Sequence, residues 1–435
     1  MSATLPSSAA TTAGYAGIWE DALIAGRDGI GIVGATAVVL ALAIVLGGSA
    51  VAGAAPAART EPCPGGTTRA RGGGNVCVDR TDRRSARIAE AVHEVQAQNP
   101  LHAIVFGAWI DGRPLVTGAL GEALPGAPAT TADHFRIGNV YEAMTSTMLL
   151  QFVEQGRVSL DDPVSKWFPS IPNADQVTLG MLARSTSGYV DYVTSDAFVQ
   201  AFNADPFRKW RPQELIDIGT SQPLLFAPGT NWSFSDTNFM ILGQILERVG
   251  GRPLGETTNA MVLRELDLRN TVYTPTASIT PPVLHGYDTG RGVYEDCTFW
   301  DPSWATGNGS MTSNLADMGR WASALGTGEL LSSKSHQLQV GNVNVGLGPN
   351  TPEHHYGLGA LVVNGWILSN PQLVGYAGVA GYLPSKKITV VAFATVDSDA
   401  PVGLHGGALA FNRIAELLAP DAAPNLTTNP RGAAA

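Results

Sequence analysis

Strand-like runs stand near both ends of the body of this chain, with a helical middle between them, and any fold must reconcile that order. Ala103 to Ile110 and Pro114 to Leu120 are apolar and β-branched, and Asp111-Gly112 between them is a tight-hairpin signal. Strand character returns at Tyr356 to Val363, Trp366 to Leu368 and Ile388 to Thr395. From Asp133 to Leu268 the signals are mostly helical. Tyr141, Met144, Met148, Leu149 and Phe152 recur at helical spacing until Gly156 stops the pattern. Pro212 opens a helix through Ile218, and Phe239, Met240, Leu242, Ile245, Leu246 and Val249 give Asp236 to Val249 a buried face. A hairpin with an apolar face needs cover. Amphipathic segments at Arg84 to Gln98 and Leu404 to Leu418 can supply it. The two ends are therefore expected to share one sheet layer (residues 81–125 and 300–420), with a helical subdomain (126–299) inserted and a ligand groove between the layers.

Ahead of the body, residues 29–58 carry no charge, and Ile30 to Val51 is nearly all Val, Ile, Leu, Ala and Gly. About 20 residues at roughly 1.5 Å rise span a bilayer core. Residues 29–53 are thus expected to form a transmembrane anchor or an export signal behind a flexible arm, residues 1–28. The run is longer than a signal core of about 7–15 residues. That favours an anchor in the cell membrane with the body on the extracytoplasmic side; secretion after signal cleavage is the alternative. In the linker, residues 54–80, Cys63 and Cys77 bracket a Gly/Arg-rich loop and are expected to form a disulfide in an oxidising compartment, the other reading being two free thiols. Residues 421–435 are expected to be a disordered tail.

A formal charge of −10 excludes a broad basic surface, so no nucleic acid is expected as a partner. No phosphate loop or zinc-hydrolase motif occurs, and neither a cofactor nor a metal is expected.

Three short stretches hold the candidate chemistry. Asn139-Val140-Tyr141-Glu142 opens the first long helix of the middle block, after Phe135-Arg136-Ile137-Gly138. Phe234-Ser235-Asp236 lies in the run from Pro228 to Phe239, and Tyr376-Ala377-Gly378 follows in the last third. With Thr186-Ser187-Gly188, Pro228-Gly229-Thr230 and Tyr356-Gly357-Leu358-Gly359, they resemble the serine beta-lactamase, D-alanyl-D-alanine carboxypeptidase and esterase family, in its class C-like branch, over about Arg84 to Leu418. The resemblance implies an α+β fold, a three-layer α/β/α sandwich with an antiparallel sheet, terminal helices and a large inserted helical domain. It also implies an active site at these three stretches, which in the family read Ser-x-x-Lys, Tyr-x-Asn and Lys/His-Thr/x-Gly.

Acyl transfer through serine needs a hydroxyl, a base about 3 Å away and donors for the oxyanion. Here Asn139 is no nucleophile and Glu142 no cation. Phe234 lacks a hydroxyl, Asp236 puts a charge where an amide would stand, Tyr376 replaces a basic residue, and only Gly378 survives. Standard catalysis is expected to be absent. Ser146 and Ser235 are weak substitutes, with no lysine or histidine close in sequence, and the histidines are scattered. Glu142 with Asp236 could bring two carboxyls into one cleft, to receive a cationic ligand, to hold a metal with Asn139, to do acid/base work, or merely to satisfy each other. Tyr189, Trp232, Trp300 and Trp304 either line the groove or anchor local core. The leading expectation is a membrane-anchored, inactive relative that binds an envelope ligand or a protein partner. The alternative is a serine-type hydrolase, an esterase, amidase or carboxypeptidase-like enzyme, with non-standard catalytic residues.

Overall fold

The structure is a computed structural model and describes residues 61–70 and 74–426. Its first elements are β1 (Thr68–Arg69), β2 (Asn75–Val78), α1 (Arg83–Gln98), β3 (Leu101–Ile110), β4 (Arg113–Leu124), β5 (Ala127–Pro128), β6 (Phe135–Arg136) and α2 (Val140–Glu154). The helical block continues with α3 (Leu179–Ala183), α4 (Asp196–Ala204), α5 (Pro212–Thr220), α6 (Asp236–Gly250) and α7 (Leu254–Thr258). Short strands β7 (Val272–Tyr273), β8 (Tyr287–Asp288), β9 (Glu295–Asp296) and β10 (Met311–Ser313) lead to α8 (Leu315–Thr327) and α9 (Ser333–Val340). The chain ends with β11 (His354–Tyr356), β12 (Leu361–Val363), β13 (Trp366–Ser369), β14 (Gln372–Leu373), β15 (Tyr376–Leu383), β16 (Ile388–Val396) and α10 (Gly406–Leu418).

Asp111 and Gly112 both take positive φ (50° and 75°), which turns β3 into β4 within two residues. β16 pairs antiparallel with β3 from Val396 against Leu101 to Ile388 against Ile110, so the two ends of the body meet in the middle of one sheet. The strand order is β1-β2-β4-β3-β16-β15-β13-β12-β11, with β14 on β15 and β5 on β4. Side chains alternate between the faces. Val390, Ala392 and Ala394 of β16 pack with Ile104 and Phe106 of β3 beneath α1 and α10, whose Ile88, Val92, Phe411 and Ile414 complete that core. Val391 and Phe393 face the other way, with Ala103 and Val105, towards α8 and the helical block. The result is the expected α/β/α sandwich with an inserted helical subdomain.

Two places depart from the sequence reading. β15 gave no strand signal, because YAGVAGYL is glycine-rich and low in β propensity. Its glycines serve packing: a Cβ on Gly378 would lie 2.3 Å from the Phe393 ring, and one on Gly381 2.9 Å from Phe411. The single strand expected over Tyr356 to Val363 is broken between β11 and β12. There Gly359 (φ 72°) tucks against α2, where a Cβ would lie 2.5 Å from both the Glu142 carbonyl and Ser146 Oγ.

Cys63 and Cys77 are joined in a disulfide, with 5.6 Å between Cα atoms. Beside them, Asn75 Nδ2 donates to the Ala129 carbonyl (2.7 Å), and Glu61 accepts from the Thr131 and Ala132 amides (3.1 and 3.0 Å). The disulfide loop thereby grips the segment that leads into β6 and α2.

The expected arm (1–28) and anchor or export signal (29–53) lie outside the described residues, as does the end of the tail from residue 427. Among the described residues no helix is long and apolar enough to cross a membrane. That corrects the expectation of a body held in the cell membrane through an N-terminal helix, and the membrane as partner and the cell-membrane placement go with it. At the other end, Leu426 exchanges two hydrogen bonds with the Asn412 side chain of α10 (2.7 and 2.9 Å).

Candidate active site

Asn139 precedes the first turn of α2, where an asparagine commonly caps the helix. Its side chain makes no cap bond. Its Nδ2 instead donates to Glu142 Oε1 (2.8 Å) and to Asp236 Oδ1 (3.1 Å). Glu142, three residues on, shares its face of the helix. Asp236 is the first residue of α6, and its backbone amide donates to Asp191 Oδ1 (3.3 Å). Two further side chains complete the network. Asn308 Nδ2, from the loop before β10, donates to Asp236 Oδ1 (2.7 Å), and the Tyr356 hydroxyl, from the end of β11, donates to Glu142 Oε2 (3.0 Å).

Glu142 and Asp236 are 2% and 1% exposed. Burial, and then the Asp236 charge beside it, push the Glu142 carboxyl well above the ordinary carboxylate range; the bonds from Asn139 and Tyr356 pull the other way and are weaker. Glu142 therefore holds a proton far more readily than a surface glutamate. Burial and the Glu142 charge also raise Tyr356 well above the usual phenol range, so it stays a neutral donor.

Phe234 and Trp232 are half-buried against Tyr356, with ring centroids 6.3 Å and 5.7 Å from its ring. Tyr376 points elsewhere. Its hydroxyl donates to the Leu284 carbonyl (2.8 Å), and its ring fills the space that Gly286 leaves by lacking a Cβ. Arg136, the cation beside Tyr376, is buried and committed to the carbonyls of Thr298 (3.2 Å) and Ala277 (3.2 Å). Gly378 packs under Phe393.

Tyr189 is buried and bonds the Pro172 carbonyl (2.7 Å). Trp300 and Trp304 pack on Phe202 at 5.8 and 5.7 Å, in an aromatic cluster that includes Phe198. Of the four aromatics, only Trp232 stands in contact with the carboxyl network. Ser146 and Ser235 are buried, and among the described residues their hydroxyls have no hydrogen-bond partner, so neither is paired there with a base. His134 and His355 bond backbone carbonyls, His285 pairs with Asp296 (2.7 Å), and His405 caps α10, its Nδ1 accepting from the Ala408 amide (3.0 Å). Among the described residues no group of three or more His, Cys, Asp or Glu could hold a metal ion.

Two members of the network were not anticipated. Asn308 lies in a Gly/Asn loop with no periodic signal. Tyr356 opens the Tyr-Gly-Leu-Gly run, whose resemblance marked a fold position and not a chemical one.

The sequence model of the beta-lactamase family matches residues 88–411. The D-alanyl-D-alanine-carboxypeptidase/endopeptidase AmpH of Escherichia coli is 29% identical over 219 residues, 49% of this chain and 54% of AmpH. Esterase EstB of Burkholderia gladioli is 27% identical over 162 residues, 35% of this chain and 41% of EstB. These matches thus span about half or less of each relative's length. The crystal structure of a D-stereospecific amidohydrolase from Streptomyces superposes with a TM-score of 0.65 at 26% identity, over 72% of this chain and 94% of that one. A family match over most of the body, on a sheet and helical insertion of the same kind, places this chain in the beta-lactamase family.

Proposed function

We propose that the chain hydrolyses ester or amide bonds without a serine nucleophile, using Glu142 and Asp236 as its acid and base. The observation that carries this reading is the bridge Glu142–Asn139–Asp236, two buried carboxyls held to one amide at the head of α2. The residues at the positions of the family's motifs support it: Asn139, Glu142 and Phe234 offer no nucleophile, lysine or tyrosine hydroxyl for acylation. The relatives, a D-alanyl-D-alanine-carboxypeptidase/endopeptidase, an esterase and a D-stereospecific amidohydrolase, suggest the substrate class. The membrane-anchored binder is set aside, since no helix among the described residues is long and apolar enough to cross a membrane. The disulfide supports work in an oxidising compartment, as for a secreted protein.

In the proposed route a water molecule attacks the substrate carbonyl carbon. Asp236 takes a proton from that water, and Glu142 gives its proton to the carbonyl oxygen, leaving a neutral tetrahedral intermediate. On collapse, Glu142 recovers the hydroxyl proton as the carbonyl re-forms. The bond to the leaving nitrogen or oxygen breaks, and the proton on Asp236 passes to that atom, so both carboxyls return to their starting states. Asn139 and Asn308 hold the pair in register throughout.

The test is turnover by the full-length protein of D-amino-acid p-nitroanilides, p-nitrophenyl esters and D-alanyl-D-alanine peptides across pH. A bell-shaped profile is expected, with kcat falling roughly 10²- to 10⁴-fold in Glu142→Gln and in Asp236→Asn. Absence of turnover on the whole panel, or covalent capture of a serine by a phosphonate probe, would sink the reading.

A further inference from the structure

Position 234 carries no hydroxyl, yet one arrives at the carboxyl pair from the opposite layer. We infer that Tyr356 is a positioning residue of this site, its hydroxyl fixing the Glu142 carboxyl from the sheet side in place of a hydroxyl at position 234. The inference rests on the hydrolase reading above and deepens it.

Three observations carry it. First, Tyr356 bonds Glu142 Oε2 while Asn139 bonds Oε1, so both oxygens of the acid are tied and the carboxyl cannot rotate freely. Second, Tyr356 is itself clamped at both backbone ends: its amide donates to Asn350 Oδ1 (2.7 Å), and its carbonyl accepts from Asn344 Nδ2 (2.9 Å). Asn344 reaches across as well to the Arg184 carbonyl (2.9 Å), tying the start of the Thr186-Ser187-Gly188 turn to the same point. Third, the Tyr356 ring packs edge-on to Phe234 at 82°, so the side chain at position 234 neighbours the one that reaches Glu142, one ring with a hydroxyl and one without. A phenol kept neutral by burial can donate to the acid without competing for its proton.

The titratable groups facing Glu142 are Asp236 from α6 and Tyr356 from β11. Their neighbours are engaged elsewhere. His355 bonds the Pro352 and Val340 carbonyls, and Arg184 Nε donates to Thr186 Oγ1. A donor on Glu142 favours its charged form, so removing that donor should move the titration of Glu142 upward in pH.

The experiment compares the full-length protein with Tyr356→Phe, which keeps the ring and loses the hydroxyl, and with Tyr356→Phe plus Phe234→Tyr. In the single variant kcat should fall roughly tenfold or more at nearly constant KM, and the alkaline limb of the profile should shift to higher pH. The double variant should recover at least half of that loss. Thermal melting against pH provides a readout that needs no turnover: the loss of stability that sets in above the ordinary glutamate range should continue to higher pH before levelling off in Tyr356→Phe, with the melting point at pH 5 little changed. If the wild-type chain turns over nothing but this melting shift appears, the hydrolase reading fails while the Tyr356–Glu142 link stands. If neither the limb nor the melting profile moves, or if melting at pH 5 collapses in the single variant, Tyr356 is a packing residue and the inference is wrong.

Discussion

On the face of the sheet covered by α1 and α10, Ile88, Val92, Phe106, Val390, Phe411 and Ile414 interdigitate without help from hydrogen bonds. On the opposite face an equally buried core, with Phe135, Val391 and Phe393, adjoins the head of α2, where Glu142, Asp236, Asn139, Asn308 and Tyr356 meet. Aliphatic burial stabilises a fold at about 25 cal/mol per Å², whereas a buried carboxyl costs free energy unless it is bonded or keeps its proton. One face holds the molecule together, and the other carries polar groups that folding alone does not require.

The aliphatic face is most vulnerable at Phe411, whose ring lies 5.2 Å from Trp366 and against Gly381. Phe411→Ala should cost about 3–5 kcal/mol in chemical denaturation and leave the pH dependence of melting unchanged. A variant that instead altered the pH profile would show that the two faces are coupled. Next in size is the disulfide, which closes a separation of 14 residues. Cys63→Ser with Cys77→Ser should cost about 3 kcal/mol by the chain-entropy estimate. A far smaller loss would mean that the Glu61 and Asn75 contacts hold the loop unaided.

On the polar side the corresponding variant is Glu142→Gln. Because the Glu142 carboxyl titrates higher in the folded than in the unfolded chain, the native state binds more protons between those two values. Its contribution to stability is complete below the ordinary glutamate range and is lost as pH rises through the folded value. The glutamine variant should therefore flatten the melting profile, gaining relative to wild type at alkaline pH; an unchanged slope would place the titrating group elsewhere. The smallest effect should come from the exposed Arg320–Glu329 pair: Arg320→Ala should change stability by at most about 1 kcal/mol, and less in high salt.

The apolar face was legible in the sequence because its residues are the ones that must leave water. Near-continuous apolar, β-branched runs mark β3 and β16, and helical spacing marks α1 and α10. Glu142 and Asp236 were legible as residues out of place, through the stretches that resemble the family's motifs. Asn308 and Tyr356 were not, since each reaches the site through tertiary contact from a turn or strand end whose local pattern says nothing about its target. β15 was hidden for a related reason: Gly378 and Gly381 were chosen by the rings of Phe393 and Phe411, not by the preferences of an extended chain.

The pairing of β3 with β16 joins the two extremes of the body. During synthesis β3 and β4 emerge long before β16, and the edge of β3 must wait unpaired while everything from β5 to β15 is made. Closure of the sheet is thus a contact of very high sequence separation, which slows folding. Until β16 arrives, that open edge is the surface on which one nascent chain can capture a strand of another.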